Sequence, residues 1–150
     1  MNIRKSESYE IFKTFIIEDL RPIPNSIFGI DNPVGLKFLT RLRLSFSHLR
    51  EHKFKHNFQD TLNPLCSCSL AIESTEHFLL HCQNFQIQRQ SLLNNLINID
   101  NTIVNLNDSD LTKLLLYGDS NLFNDRDNSS ILNYCISFIT STKRFDDNLF

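Results

Sequence analysis

Apolar residues recur along this chain at helical intervals. Between residues 6 and 20, Tyr9, Phe12, Ile16 and Leu20 fall three or four apart, which predicts an amphipathic helix with Ser6 as its cap. Pro22 and Pro24 remove backbone donors and stop it, and Gly29 to Gly35 is a second break. Leu36, Leu39, Leu42 (or Arg43) and Phe46 then share one face, predicting a helix from about 35 to 48, with Lys37, Arg41 and Arg43 off that face. "RLRLSF" also alternates with period two, but length favours the helix. "NFQDTLNPL" reads as a connector with a turn at Asn63-Pro64. From Ser74 the pattern is helical again, with Phe78, Leu79, Cys82, Phe85, Leu92, Leu93 and Leu96 as apolar positions and Ser74 or Thr75 as the cap. "NDSDLTKLLLYGD" predicts a short helix capped by Asp108 or Ser109 and ended by Gly118. "SNLFNDRDNSS" reads as a polar loop, and "ILNYCISFITSTKRF" as a last helix despite its β-branched residues. The fold class expected is mainly α: a small helical domain, with residues 1–24 as an N-terminal helix and linker, 25–145 as the module and 146–150 as a tail.

Composition changes this picture little. In 150 residues, 41% hydrophobic and 21% charged content allow a core and argue against global disorder. Only 3 glycines argue against a turn-rich β-sandwich. A formal charge of −2 gives no overall pull towards nucleic acid or membrane, so any basic surface must be local. Charges interrupt the first apolar run, so no signal peptide is expected, and no window approaches the length of a membrane span. These features point to an intracellular chain, with nucleus and cytoplasm not separable, where thiols stay reduced and clustered cysteines bind metal rather than pair.

The cysteines carry the one candidate chemistry. "CSCSLAIESTEHFLLHC" holds Cys66, Cys68 and Cys82 together with His77 and His81. A close pair from a turn and a second pair from a helix is the usual way to build a tetrahedral zinc site from thiolate and imidazole. With Cys66, Cys68, His77 and Cys82 as ligands the site is a Cys₃His, zinc-knuckle-like element between helices, closed to water and therefore structural. Two features strain this assignment. A one-residue spacer in an extended strand throws the two sulfurs to opposite faces, so the backbone must bend at Ser67. Residues five apart on an ideal helix also point about 140° away from each other, so His77 and Cys82 meet one ion only if the helix is distorted or ends early. His81, four from His77, is the competing fourth ligand. Cys135 lies in a distant apolar segment and is expected in the core.

From "LTRLRLSF" to "LLHCQNF" the chain resembles the segment that follows the reverse transcriptase domain in non-LTR (LINE-type, jockey-like) retrotransposon polyproteins. Arg41, Leu42 and Arg43 match its Arg-Leu-Arg helix, and Ser47, His48 and Leu49 match its Ser-His-Leu turn. The cysteine pair Cys66 and Cys68 follows, then Glu73, His77 and Cys82; "LLLYGD" and "FITSTKRF" look like the rest of that tail. The likeness spans about residues 25–145. It implies ligands at His77 and Cys82, with His81 second to them, and a structural zinc in a region that helps hold element RNA or target DNA. It further implies a reverse transcriptase fragment whose polymerase and endonuclease lie elsewhere, and a polymerase domain as a candidate partner. "YGDS" at Tyr117 and "RFDDN" at Asp146 are the nearest imitations of polymerase carboxylates. Neither lies between apolar strands, and both read as solvated acids.

Lys37, Arg41, Arg43, Arg50, Lys53 and Lys55 face only Glu51 in the same stretch and form the one locally basic region. Neutralising phosphates there releases counterions and gives salt-sensitive, sequence-independent binding of RNA or DNA. Phe46, Phe54 and Phe58 are candidate stacking partners for unpaired bases, although phenylalanine is more often core. No catalytic residues, membrane association or small-molecule substrate are expected. Pairing Ser47 with His48, or Cys82 with His81, lacks a third orienting group. The rival reading is a scaffold module that packs on a polymerase domain and binds no nucleic acid.

Overall fold

A computed structural model describes Ile30 and residues 32–146. The predicted helix over 6–20 and its linker lie outside the described residues. The fold is mainly helical, with no strand among the described residues. Helix α1 is Pro33–Arg43, α2 Arg50–Lys55, α3 Gln86–Ile99, α4 Asp108–Tyr117 and α5 Asp125–Ser141. None is long and apolar enough to cross a membrane.

Local chemistry sets the boundaries. The Asn32 side chain accepts from the Gly35 N–H at 2.8 Å, and Pro33 fills the first turn, where no intrahelical donor is missed. The helix predicted over 35–48 ends at Arg43, because Ser45 takes a left-handed conformation (φ 53°) and the Phe46 N–H closes back on the Arg41 carbonyl at 3.0 Å. Phe46 is thereby carried off the apolar face and exposed. Helix α4 is capped one residue before the predicted caps Asp108 and Ser109: Asn107 accepts from the Asp110 N–H at 2.8 Å. Gly118 ends it with φ 69°. Helix α5 starts inside the stretch read as a polar loop, since Asn124 accepts from the Asp127 N–H at 2.8 Å and so supplies an N-cap there.

Helix α5 packs against α1, α3 and α4. Ile131, Leu132, Ile136, Phe138 and Ile139 from α5 meet Phe38, Leu39 and Leu42 from α1, Leu92 and Leu96 from α3, and Leu111, Leu114 and Leu115 from α4. Cys135 is buried among them, as expected, and burial pushes its thiol up to about 12. Five phenylalanines, Phe38, Phe78, Phe85, Phe138 and Phe145, form an aromatic cluster. Phe78 lies 5.5 Å from both Phe138 and Phe145, and Phe38 lies 5.3 Å from Phe145. Each such side chain contributes about 1.5–3 kcal/mol when fully buried. Phe78 follows His77 directly, so this cluster is the floor on which the cysteine-rich segment rests.

Candidate metal centre

The first cysteine pair sits on a short hairpin. Leu65 and Ile72 form an isolated antiparallel bridge, the Cys66 N–H donates to the Ala71 carbonyl at 2.8 Å, and the Glu73 N–H donates to the Pro64 carbonyl at 2.9 Å. Between them the chain turns sharply: the Ser69 N–H donates to the Cys66 carbonyl at 2.9 Å, and Ser69 is left-handed at φ 65°. That bend answers the spacer problem, because Cys66 and Cys68 lie on a turn and not on a straight strand, and both sulfurs belong to one close group of donor atoms. The N–H groups of Leu70 and, more weakly, Ala71 face the Cys68 sulfur and lower its thiol below the ordinary value. Such a set of convergent N–H groups favours a thiolate.

The second pair is brought together by a rare helical form. Ser74 caps the segment by accepting from the His77 N–H at 3.0 Å. Residues His77–His81 then form a π-turn, whose i→i+5 bond is the Cys82 N–H to the His77 carbonyl at 2.8 Å. At Cys82 the backbone leaves the helix in an extended conformation (φ −60°, ψ 123°). The wider turn and the exit together overcome the 140° divergence expected of an ideal helix, and His77 and Cys82 reach the same point.

The Sγ atoms of Cys66 and Cys82 are 3.7 Å apart, Cys68 Sγ is 3.3 Å from His77 Nε2, and all four donor atoms lie within 4.8 Å of one another. A tetrahedron with Zn–S of about 2.3 Å and Zn–N of about 2.0–2.1 Å has edges of about 3.8 Å between sulfurs and about 3.6 Å from sulfur to nitrogen. The residues therefore fit a four-coordinate ion with little movement, and the group can hold a metal. Cys66 and Cys82 are buried, and burial pushes the Cys66 thiol up to about 12. A coordinated cation reverses that shift, since a ligating thiol is deprotonated outright. His77 is shifted down, first by burial and then by His81, which keeps it in the neutral form that coordinates.

His81 is directed elsewhere: its Nε2 lies 2.7 Å from Asp108 Oδ2 on the surface, where Glu76 is also close.

The basic residues divide. Arg43 is buried; its guanidinium donates to the Leu116 carbonyl and lies over the Tyr117 ring, so it is part of the packing between α1 and α4. Arg41 and Lys53 converge on His48, joined by Arg144, and lower its pKa after burial has done so. Lys53 pairs with Asp60 at 2.5 Å and covers Phe58, while Lys55 pairs with Glu51 at 3.0 Å. Arg50 and Lys37 are half-buried on α2 and α1. Phe46, Phe54 and Phe58, which residue type alone would place in the core, are each 42–44% exposed.

Three polar side chains near the centre are not legible as such in the sequence. Arg89 stands in a helical stretch with no motif around it and is buried, whereas Arg144, within "FITSTKRF", lies in the turn after α5 and is half-buried against Glu73. His52 is paired with Ser47, not His48: Ser47 Oγ lies 2.7 Å from His52 Nδ1, which also accepts from the Ser47 N–H at 3.2 Å. Nδ1 is therefore the acceptor, and Nε2–H donates to Thr75 Oγ1 at 3.3 Å. Both residues are buried, and this triplet ties α2 to the segment that starts the second ligand pair.

Compared with protein-family models, with curated proteins and with solved structures, the chain gives no match.

Proposed function

We propose that this chain is a zinc-stabilised module without catalysis that holds RNA or DNA without sequence preference, as its resemblance to the post-polymerase tail of non-LTR retrotransposon proteins implies. The observation that carries the proposal is the convergence of Cys66, Cys68, His77 and Cys82 at tetrahedral spacing. Three thiolates and one imidazole in that geometry suit zinc. Four protein donors complete the shell, which makes the ion structural. Its binding free energy, about 10–16 kcal/mol for such sites, is comparable to the stability of a whole domain.

The nucleic-acid surface is the face around α2: Arg41, Arg50, Lys53 and Lys55, with Lys37 beyond them and Phe46, Phe54 and Phe58 exposed beside them. Arg43 is left out because it is buried. Cations contact phosphates and exposed rings stack on unpaired bases. Metal analysis of the purified chain, with filter binding of single-stranded RNA at low and moderate salt, tests both halves. One zinc per chain and retention that falls steeply with salt are expected. Retention that is absent at low salt, or equal at both, refutes the nucleic-acid half.

A second reading is favoured by a specific feature. Leu62, Leu65, Leu70 and Ile72 are exposed on and beside the cysteine hairpin. A contiguous apolar face marks interaction surfaces, so the module would instead pack on a polymerase domain and bind no nucleic acid. In that case the isolated chain self-associates on sizing chromatography and binds a hydrophobic dye.

A further inference from the structure

The centre is flanked by two guanidinium groups that reach it from the helical bundle. Arg89, on α3, is 7% exposed; its guanidinium lies over the Phe138 ring and donates to three backbone carbonyls, Nε to Leu79 at 2.8 Å, Nη1 to Cys82 at 2.9 Å and Nη2 to Phe78 at 3.0 Å. These carbonyls belong to the π-turn and its exit. The chain turns out of the helix at Cys82, so the Phe78 and Leu79 carbonyls lie at the end of the helical segment, while the Cys82 carbonyl also accepts from the Phe85 N–H at 3.2 Å. The planar fork of one arginine donates to all three. It thus holds open the helical form that brings Cys82 to His77.

Arg144, just beyond α5, acts on the other pair. It grips the buried Glu73 carboxylate with two bonds, Nε to Oε2 at 2.9 Å and Nη2 to Oε1 at 2.7 Å, and donates to the His48 carbonyl at 3.0 Å. Glu73 also accepts from the Arg50 N–H at 2.8 Å, and its Oε2 lies 4.0 Å from Cys66 Sγ. Glu73 lies on the hairpin arm opposite Cys66, its N–H donating to the Pro64 carbonyl at 2.9 Å. Three thiolates and a neutral imidazole around a divalent ion leave one net negative charge, and Glu73 adds another in the same buried region. Arg89 and Arg144 bring two positive charges to the region, which offset these two and lower the cost of burying them.

We infer that Arg89 and Arg144 are positioning residues of the metal centre: Arg89 fixes the His77–Cys82 pair through the π-turn carbonyls, and Arg144 fixes the Cys66 hairpin through Glu73. The inference rests on the metal reading of the site. Loss of outer partners of this kind typically weakens metal binding by about 10–100-fold.

The test uses the full chain with cobalt(II) as a spectroscopic probe and zinc in competition with a chromophoric chelator. Arg89→Lys and Arg144→Lys keep the charge but lose the fork. Ile131→Val trims the core away from the centre and serves as the control for general destabilisation. Both lysine variants are expected to bind about 10–100-fold more weakly than the wild type and to show shifted cobalt ligand-field bands, with the control unchanged in both respects. Wild-type affinity and an unaltered cobalt spectrum in the two lysine variants would overturn the proposal. Should Arg89→Lys fail to fold, the Arg144→Lys arm decides alone. A wild-type chain that gives no tetrahedral cobalt spectrum removes the metal reading itself, and the roles of both arginines with it.

Discussion

At the scale of single residues, the ligand set separates cleanly from its neighbours. Cys68→Ser should abolish stoichiometric metal and lower helical ellipticity to the level of chelated wild type. His81→Ala should leave metal content intact, since His81 faces Asp108 and not the sulfurs. Metal analysis and circular dichroism of the two variants side by side check this, and loss of metal in His81→Ala would refute the assignment. His52 gives a different readout. Burial pulls its pKa down to about 4, against opposing pulls from Glu51 and Glu73 and supporting ones from Lys55 and His56. Between pH 4 and 6.5 the unfolded chain therefore binds the proton and the folded chain does not. Stability is complete above the unfolded value and is lost as pH falls through that window, by about 3 kcal/mol at the shift given. His52→Gln should flatten that part of the profile in urea denaturation at stepped pH; an identical slope in the variant would count against it. The cysteines and His77 were legible in sequence because thiolates and imidazole are rare and clustered. Arg89 was not, because it donates to backbone carbonyls, and no residue pattern marks a carbonyl at the end of a helical segment.

Among the elements, four of the five helices were legible, but α2, a charged run without apolar periodicity, and the joints were not. The apolar spacing of α1, α3, α4 and α5 identifies each, yet Ser45 and Cys82 break runs whose periodicity continues past them. Both breaks depend on partners distant in sequence or on a locally strained backbone, which periodicity cannot register. Gly35 makes a close joint between α1 and α5. A Cβ built on Gly35 would lie 2.2 Å from Ile136 Cγ2, a stiff β-branched side chain that cannot swing aside. Gly35→Ala should cost about 1–3 kcal/mol through overpacking. The double variant Gly35→Ala/Ile136→Ala should be more stable than the two separate losses predict, because the second change removes the clashing methyl. Denaturant midpoints of the four proteins of that cycle decide it, and strict additivity would show that the two helices do not meet as described.

For the molecule as a whole, the candidate centre and the bundle share side chains. Phe78 and Leu79 of the π-turn are core residues, and Arg144 ties the end of α5 to the hairpin. Chelation should therefore lower ellipticity and thermal midpoint together, in a single transition followed by circular dichroism; two separate transitions would mean that the helices stand without the centre. The molecular class, mainly helical with a Cys₃His group between helices, was legible because it needs only periodicity and clustering. The coupling was not, since it runs through Glu73 and Arg144, which lie 71 positions apart. That separation has a bearing on how the chain reaches its native state. The donor atoms of Cys66 and Cys82 are only 16 positions apart, so closing the loop around an ion costs little chain entropy, whereas Gly35 must find Ile136 from the opposite end of the described chain. Loop length therefore places the closing of the cysteine hairpin before the docking of α1 on α5, an order that stopped-flow refolding with and without zinc would test.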